Sequence, residues 1–479
     1  MKQTRPLCLY VCHDPAMNTN SVSPAVDVAR PASPTNYDNS EPGAWGFATR
    51  QIHVGHAVDS DAHARGLPIH QSASFVFPDS RTGAALFDLA EVGYTYSRTT
   101  NPTVEAVEKR ITSLEGGVHT VLFSSGMAAI HAALVTLTAA GSHVVASPRL
   151  YGGTVTLLTS TLARFGVRTT FVDDPDDPGS WSAAAEPETV AFFGETIGNP
   201  LADILDIPAV ADAAHAHGVP LIVDNTLATP ALVRPIELGA DIVVNSTTKF
   251  LTGNSSYVGG ALTDGGTFDW NVRRDGRPVF PTLSEPDPTY HGLVFTEAFG
   301  PEAFAIRART GVLRDTGGCQ SAQAAWQLAQ GLDTLDLRVA RHNDSAAAIA
   351  RYLAGRPEVV KVNHAGLPGS PWHPVKERLG LDGAGSVFSF DIDGGREDAW
   401  AFIDALRLFS NLVNVGDVRS LVVHPNSTTH RQGTPEANAA AGITDSTIRL
   451  SIGLEDVADL IDDLDRGFRT LAERHTGRG

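Results

Sequence analysis

Lys249 follows an apolar run and three small polar residues in DIVVNSTTKFLTGN, residues 241 to 254. Alone, that is an ordinary lysine at the solvent end of a strand. Three further polar clusters close apolar runs elsewhere in the chain: Ser124-Ser125-Gly126, ETIGNP at 195 to 200, and Asp224-Asn225-Thr226. A lysine partly withdrawn from water has a lowered pKa, and its amine can join an aldehyde as a Schiff base. Asp224 ends the run PLIV, where an ionised carboxylate is costly unless a cation or hydrogen-bond donors satisfy it; a capping or turn aspartate is the plainer alternative. In SSGMAA the glycine permits a tight turn, and a helix beginning there would offer unpaired amides at its positive end, which suits a phosphate. Ser246, Thr247 and Thr248 add hydroxyls that could face a second side of the same phosphate.

The surrounding pattern supplies elements to position these groups. HTVLF reads as a strand, MAAIHAALVTLTAAG as a helix and HVVAS as a strand. The rhythm continues through VRTTFVD, TVAFFGE, the helix IPAVADAAHAHG, and the strands VPLIVDN and ADIVVN. Helices between strands imply parallel pairing with both faces covered. An open parallel sheet binds ligands beyond the carboxyl ends of its strands, so the four clusters would converge on one crevice. Phosphate donors, a carboxylate for a pyridine nitrogen and a Schiff-base lysine are together what pyridoxal phosphate requires. No metal is expected: His215 and His217 in AHAHG are two apart and would point to different faces of a helix.

Past about residue 315 the texture changes. A long helical stretch, SAQAAWQLAQGLDTLDLRVARHNDSAAAIARYLAG, precedes strand candidates VFSFDI and TIRLSIG, and the amphipathic helix VADLIDDLDRGFRTLAER follows. The expected class is α/β: a large, mostly parallel-sheet domain over 91 to 312, and a smaller α+β domain over 313 to 479. Residues 1 to 42, rich in Pro, Ser, Asn and Thr, read as a disordered extension, and 43 to 90 as an arm.

The chain has 479 residues, 36 basic and 54 acidic, for a formal charge of -18. That balance argues against a broad nucleic-acid or anionic-membrane surface, so any phosphate must be held locally. Cys8, Cys12 and Cys319 form no CxxC pair and no disulfide framework, which points to a reducing cytoplasm. PLCLYVC lacks the length and cleavage site of a signal peptide, and no run approaches the roughly 18 apolar residues of a membrane span.

From about 43 onward the chain resembles the cysteine and methionine metabolism enzymes of pyridoxal phosphate fold type I, and within them the O-acetylhomoserine sulfhydrylase (aminocarboxypropyltransferase) branch. The resemblance rests on PIHQSASFVF, YTYSRTTNPTVEAVEKRITSLEGG, SSGMAA, RLYGGT, ETIGNP, VPLIVDNTLATP, GADIVVNSTTKF, GLDTLDLRVARH, NVGDVRSLVVHPNSTTH and IRLSIGLED, in the family's order. It implies that Lys249 forms the Schiff base, Asp224 pairs with the pyridine nitrogen, and Thr226 and Asn199 lie around the ring. Tyr151 would stack on the ring and assist proton transfer. Ser125, Gly126, Met127, Ser246 and Thr248 would hold the phosphate. Tyr96 and Arg98 would reach it from a neighbouring subunit, Tyr96 also touching substrate, in at least a dimer and typically a homotetramer. Arg449 would take the substrate carboxylate with help from Asn414.

The implied reaction replaces the γ-acetoxy group of O-acetyl-L-homoserine with sulfide or a small thiol, in methionine and sulfur metabolism. Cystathionine γ-synthase chemistry, methionine γ-lyase chemistry, a larger nucleophile and a non-catalytic regulatory protein are the alternatives. Arg419 in GDVRSL and the insertion SEPDPTYHGLVF favour the sulfhydrylase branch. Two departures stand out: sulfhydrylases usually carry Gly-His-Gly where this chain has Gly253-Asn254-Ser255, and SAQAAW lacks their Pro-Phe.

Overall fold

The apolar runs that alternate with helices fold into one seven-stranded sheet: β1 (His119–Phe123), β2 (His143–Ala146), β3 (Arg168–Phe171), β4 (Thr189–Glu195), β5 (Leu221–Asp224), β6 (Ile242–Asn245) and β7 (Gly260–Asp264). These come from a computed structural model that describes residues 45 to 476, apart from 57, 59 to 62, 432 to 437 and 439 to 441. The extension at 1 to 42, with Cys8 and Cys12, lies outside the described residues. All described residues fall in one compact unit, Asn39–Gly479.

Sheet order is β1-β7-β6-β5-β4-β2-β3, parallel from β6 to β3. Every residue of β2, β4, β5 and β6 is buried, as a parallel sheet covered on both faces requires. The helix Gly126–Leu137 packs on one face and Ile207–Ala216 on the other.

One strand of this sheet was not legible. β7 lies antiparallel between β1 and β6, yet GALTD opens on glycine and shows no clean alternation. The glycine is there for close approach: a Cβ on Gly260 would sit 2.1 Å from the Ser125 carbonyl oxygen. Thus β7 runs under the turn that starts the first crossover helix.

A small ribbon, β8 (Arg273–Arg274) with β9 (Arg277–Pro278), precedes a second sheet. That sheet holds β10 (Val359–Asn363), β11 (Val387–Ile392), β12 (Ser410–Asn411), β13 (Leu421–Val423) and β14 (Thr447–Ser451), ordered β10-β11-β14-β13-β12. The long helical stretch breaks at residues 333 and 334 into Ala322–Leu332 and Leu335–Ala354. Ser321 caps the first of these by accepting the Ala324 amide at 3.2 Å, and that helix packs with Pro102–Glu115. The closing helix Val457–Thr476 buries Leu460, Leu464, Phe468 and Leu471, the i, i+4 stripe its sequence displays. One apolar cluster spans both sheets, from Phe192 and Val223 through Phe388 and Leu450 to Phe468. Among the described residues no helix is long and apolar enough to cross a membrane.

Candidate active site

Lys249 leaves the turn after β6 with its backbone amide bonded to the Ser246 carbonyl at 3.2 Å. Its Nζ donates to Asn414 Oδ1 at 2.5 Å. Burial, and then the charge of Arg449, lower its pKa to about 8, so near neutrality the amine gives up its proton far more readily than a surface lysine. Arg449, on β14, is 3% exposed. Its Nη2 donates to the Asn414 carbonyl at 3.0 Å and its Nη1 to Asn199 Oδ1 at 3.3 Å. Among the described residues its Nε has no hydrogen-bond partner, and no carboxylate lies within ion-pair distance. Burial presses its pKa down to about 10. An uncompensated buried guanidinium is expensive and suits an incoming carboxylate, which it can grip through two bonds.

Asp224 closes β5, buried at 8% exposure. Its Oδ1 accepts the Thr226 amide at 2.9 Å, and the Thr226 hydroxyl donates to it as well. That hydroxyl accepts the Ser246 amide at 2.7 Å, which couples the end of β5 to the lysine turn. Burial raises the Asp224 pKa to about 6. Glu195, at the adjacent end of β4, is driven well above the usual carboxylate range by burial and by Asp224. Two such carboxyls side by side do not both ionise; the Thr226 donors favour charge on Asp224, leaving the proton on Glu195. Glu195 Oε1 also accepts the backbone amide of Tyr151 at 2.5 Å, fixing the entry to the Gly152–Thr156 helix, while the Tyr151 ring remains 47% exposed. Sequence reasoning passed over Glu195, although it opens the ETIGNP motif.

Ser125 caps the helix Gly126–Leu137, its Oγ accepting the Ala128 amide at 3.1 Å. A Cβ on Gly126 would lie 2.7 Å from Ser246 Cβ, so only glycine lets this helix start press against the lysine turn. The amides of Gly126 and Met127, at the helix start, and Ser246 therefore share one edge of the crevice. The Thr248 hydroxyl is engaged by Gly259, donating to its carbonyl at 3.1 Å and accepting its amide at 3.0 Å.

The Arg98 guanidinium lies 5.5 Å from the Tyr96 ring centroid, and Arg98 donates to the Arg314 carbonyl. Tyr96 and Arg98 line a cavity of about 400 Å³ with Gln320 and Ser321, so SAQAAW begins at the border of that cavity. A smaller cavity, of about 210 Å³, opens beside Asn199 and Gly152 and reaches His430. His430 is held neutral, at about 4, by burial and by Arg449. His215 bonds Asp241 at 2.8 Å, and the described residues contain no group able to hold a metal ion.

Beneath the site lies a support that sequence reasoning missed. Glu115, fully buried at the end of Pro102–Glu115, accepts Asn245 Nδ2 at 2.7 Å and Asn225 Nδ2 at 3.3 Å, and Thr196 donates to Asn225 at 2.9 Å. One carboxyl thus ties the ends of β5 and β6, and through Asn225 that of β4. Burial raises its pKa from 4.5 to about 7. Between those values the folded chain holds a proton that the unfolded chain has lost. This contribution to stability is therefore intact below pH 4.5, declines as pH rises to 7, and is flat beyond. Over that window we expect Glu115→Gln to remove a decline of about 3 kcal/mol, seen as a flatter plot of Tm against pH than the wild type gives.

The donor set fits pyridoxal phosphate. Asp224 is a buried carboxylate with no cationic side chain within ion-pair distance among the described residues, as a partner for a protonated ring nitrogen must be. Lys249 is a readily deprotonated amine, and a capped helix start adjoins it.

The comparisons agree. The Cys/Met metabolism PLP-dependent enzyme family matches residues 48–469. O-acetyl-L-homoserine sulfhydrylase of Corynebacterium glutamicum is 57% identical over 91% of this chain and 99% of its own. Homocysteine synthase of Schizosaccharomyces pombe is 44% identical over 87% and 96%. Among solved structures, a putative O-acetylhomoserine (thiol)-lyase from Campylobacter jejuni, carrying N'-pyridoxyl-lysine-5'-monophosphate, superposes with TM-score 0.85 at 36% identity, covering 89% of this chain and all of that one. Cystathionine gamma-lyase from Lactobacillus plantarum gives 0.76 at 32%, with the same coverage. With a match spanning both sheets and every element that carries the Lys249 crevice, the chain belongs to the Cys/Met metabolism PLP-dependent enzyme family and has its fold type I architecture.

Proposed function

We propose that this enzyme replaces the acetoxy group of O-acetyl-L-homoserine with sulfide or a small thiol, releasing acetate and giving L-homocysteine or a thioether amino acid. The observation that carries the reading is the partly buried Lys249–Asn414–Arg449 group, with its easily deprotonated amine and unmatched guanidinium. Relatives named O-acetyl-L-homoserine sulfhydrylase and homocysteine synthase support the substrate. Pyridoxal phosphate, when bound, supplies an electron sink for negative charge at the substrate's α carbon.

Lys249 holds the cofactor and then moves a proton from Cα towards Cβ, a transfer its lowered pKa suits. Asp224 would pair with the ring nitrogen, Thr226 and Asn199 would lie around the ring, and Tyr151 would stack on it and assist the proton transfer. The amides of Gly126 and Met127, with Ser125, Ser246 and Thr248, would hold the phosphate. Arg449 grips the α-carboxylate and Asn414 backs it. The cavity beside Asn199 and His430 gives the leaving acetate and entering thiol a place. Tyr96 and Arg98, which share a cavity with Gln320 and Ser321, serve the site of a neighbouring copy in a homotetramer, with residues 43 to 90 as the connecting arm, 91 to 312 as the cofactor domain and 313 to 479 as the small domain. The three-cysteine composition favours the cytoplasm.

The test is direct. Purified protein with O-acetyl-L-homoserine and sulfide should form homocysteine and acetate, read by mass spectrometry. Absence of homocysteine from a protein that carries the cofactor would refute the proposal. Rapid 2-oxobutanoate and ammonia without any thiol would establish a lyase instead.

A further inference from the structure

The stretch Gly253-Asn254-Ser255 has a specific geometry. Ser255 has φ +55°, a left-handed conformation that penalises any side chain and that glycine would occupy freely. Yet the chain places a serine there, and its hydroxyl makes two bonds to another segment. It donates to Asp417 Oδ2 and accepts Asn414 Nδ2 at 2.8 Å.

Directions follow from donor and acceptor chemistry. A carboxylate only accepts, so the single Ser255 proton goes to Asp417. The Ser255 oxygen is then left to accept, and the Asn414 group facing it must be the amide nitrogen. That leaves Asn414 Oδ1 pointing at Lys249 Nζ, 2.5 Å away. Reversed, the amide would aim its own N–H bonds at an amine that is itself a donor.

We propose that Ser255 is a positioning residue: anchored by Asp417, it locks the Asn414 carboxamide with its oxygen towards Lys249. The inference rests on the role proposed above for Lys249. Both ends of the device are fixed. The Gly253 amide bonds the Lys249 carbonyl at 2.8 Å, and the Val418 amide bonds the Gly253 carbonyl at 2.8 Å, stitching the turn to the 414–418 segment. Asp417 uses its other oxygen to accept the Arg419 amide at 2.9 Å and Arg419 Nη1 at 3.3 Å. A Cβ on Gly416, itself at φ +75°, would lie 2.7 Å from the Phe250 nitrogen, so the two segments meet backbone to backbone. Asn254 shapes the turn, its Oδ1 accepting the Ser256 amide at 3.1 Å.

Glycine at 255 relieves the backbone and removes the hydroxyl, which separates positioning from folding. We expect the Ser255→Gly holoenzyme to keep or raise its Tm, while kcat falls roughly 10-fold with KM for the acylhomoserine nearly unchanged. Hydroxylamine should strip the cofactor from it several-fold faster, followed by loss of the holoenzyme's visible absorption, a readout independent of turnover. Asp417→Asn, which lets the anchor donate and so frees the chain to reverse, should give the same phenotype, and the double variant no more than either alone. An unchanged kcat and stripping rate in Ser255→Gly would overturn the proposal. So would a Tm loss in step with kcat, or a double variant showing the product of two independent losses. Should the wild type make no homocysteine, the functional reading fails, while the hydroxylamine comparison still decides the role of Ser255.

Discussion

Lys249→Ala should lower homocysteine formation by roughly 10⁴-fold or more, because in the role proposed for it one side chain would both hold the cofactor and shuttle the proton. The measurement is turnover at saturating substrate with added pyridoxal phosphate, read by mass spectrometry. Lys249→Arg separates charge from proton transfer: a guanidinium stays protonated, so this variant should be as inactive as the alanine one. Activity above a tenth of wild type in either would remove Lys249 from the chemistry.

Asp224→Asn should show two effects of opposite sign. Without a carboxylate to pair with the ring nitrogen, turnover should fall by about 10²- to 10³-fold, equivalent to breaking a buried ion pair. The cofactor-free protein should become more stable. Asp224 titrates at about 6 in the fold against 3.8 unfolded, so the folded chain is favoured while the group is protonated and loses that advantage as pH rises from 3.8 to 6. Above pH 6 the penalty is about 3 kcal/mol. The variant should escape it, melting higher than wild type at pH 8 and equally near pH 4. A cofactor-free variant that melts lower at pH 8 would show that Asp224 is satisfied within this chain.

What the sequence disclosed follows from how each residue earns its place. Lys249, Asp224 and the Ser125-Gly126 turn were legible because parallel strands end in apolar runs and the polar residues after them stand out. The strands HTVLF, TVAFFGE and VFSFDI were legible as short apolar runs, although the first and last pair antiparallel. β7 was not, since its small residues answer to a close approach by the Ser125 turn rather than to periodicity. Glu115 and Glu195 were hidden because their partners, Asn245, Asn225 and the Tyr151 amide, come from distant segments. Ser255 was marked only as a departure; its meaning needed Asp417 and Asn414, some 160 positions away.

The apolar cluster that spans both sheets has a consequence for selectivity. Asp224 on β5 and Arg449 on β14 are rooted in the same packed mass, with Val223 beside the one and Leu450 beside the other. Close-packed interiors transmit strain rather than yield to it, so these anchors behave as the jaws of a set caliper. Every amino acid substrate presents the same α-carboxylate and amine, so on the roles proposed above for Arg449 and for Asp224 through the cofactor, the caliper would accept them all alike. On that proposal discrimination falls to whatever receives the atoms beyond Cβ, and the cavity by Asn199 and His430, not the arginine, would register a change of acyl group or thiol.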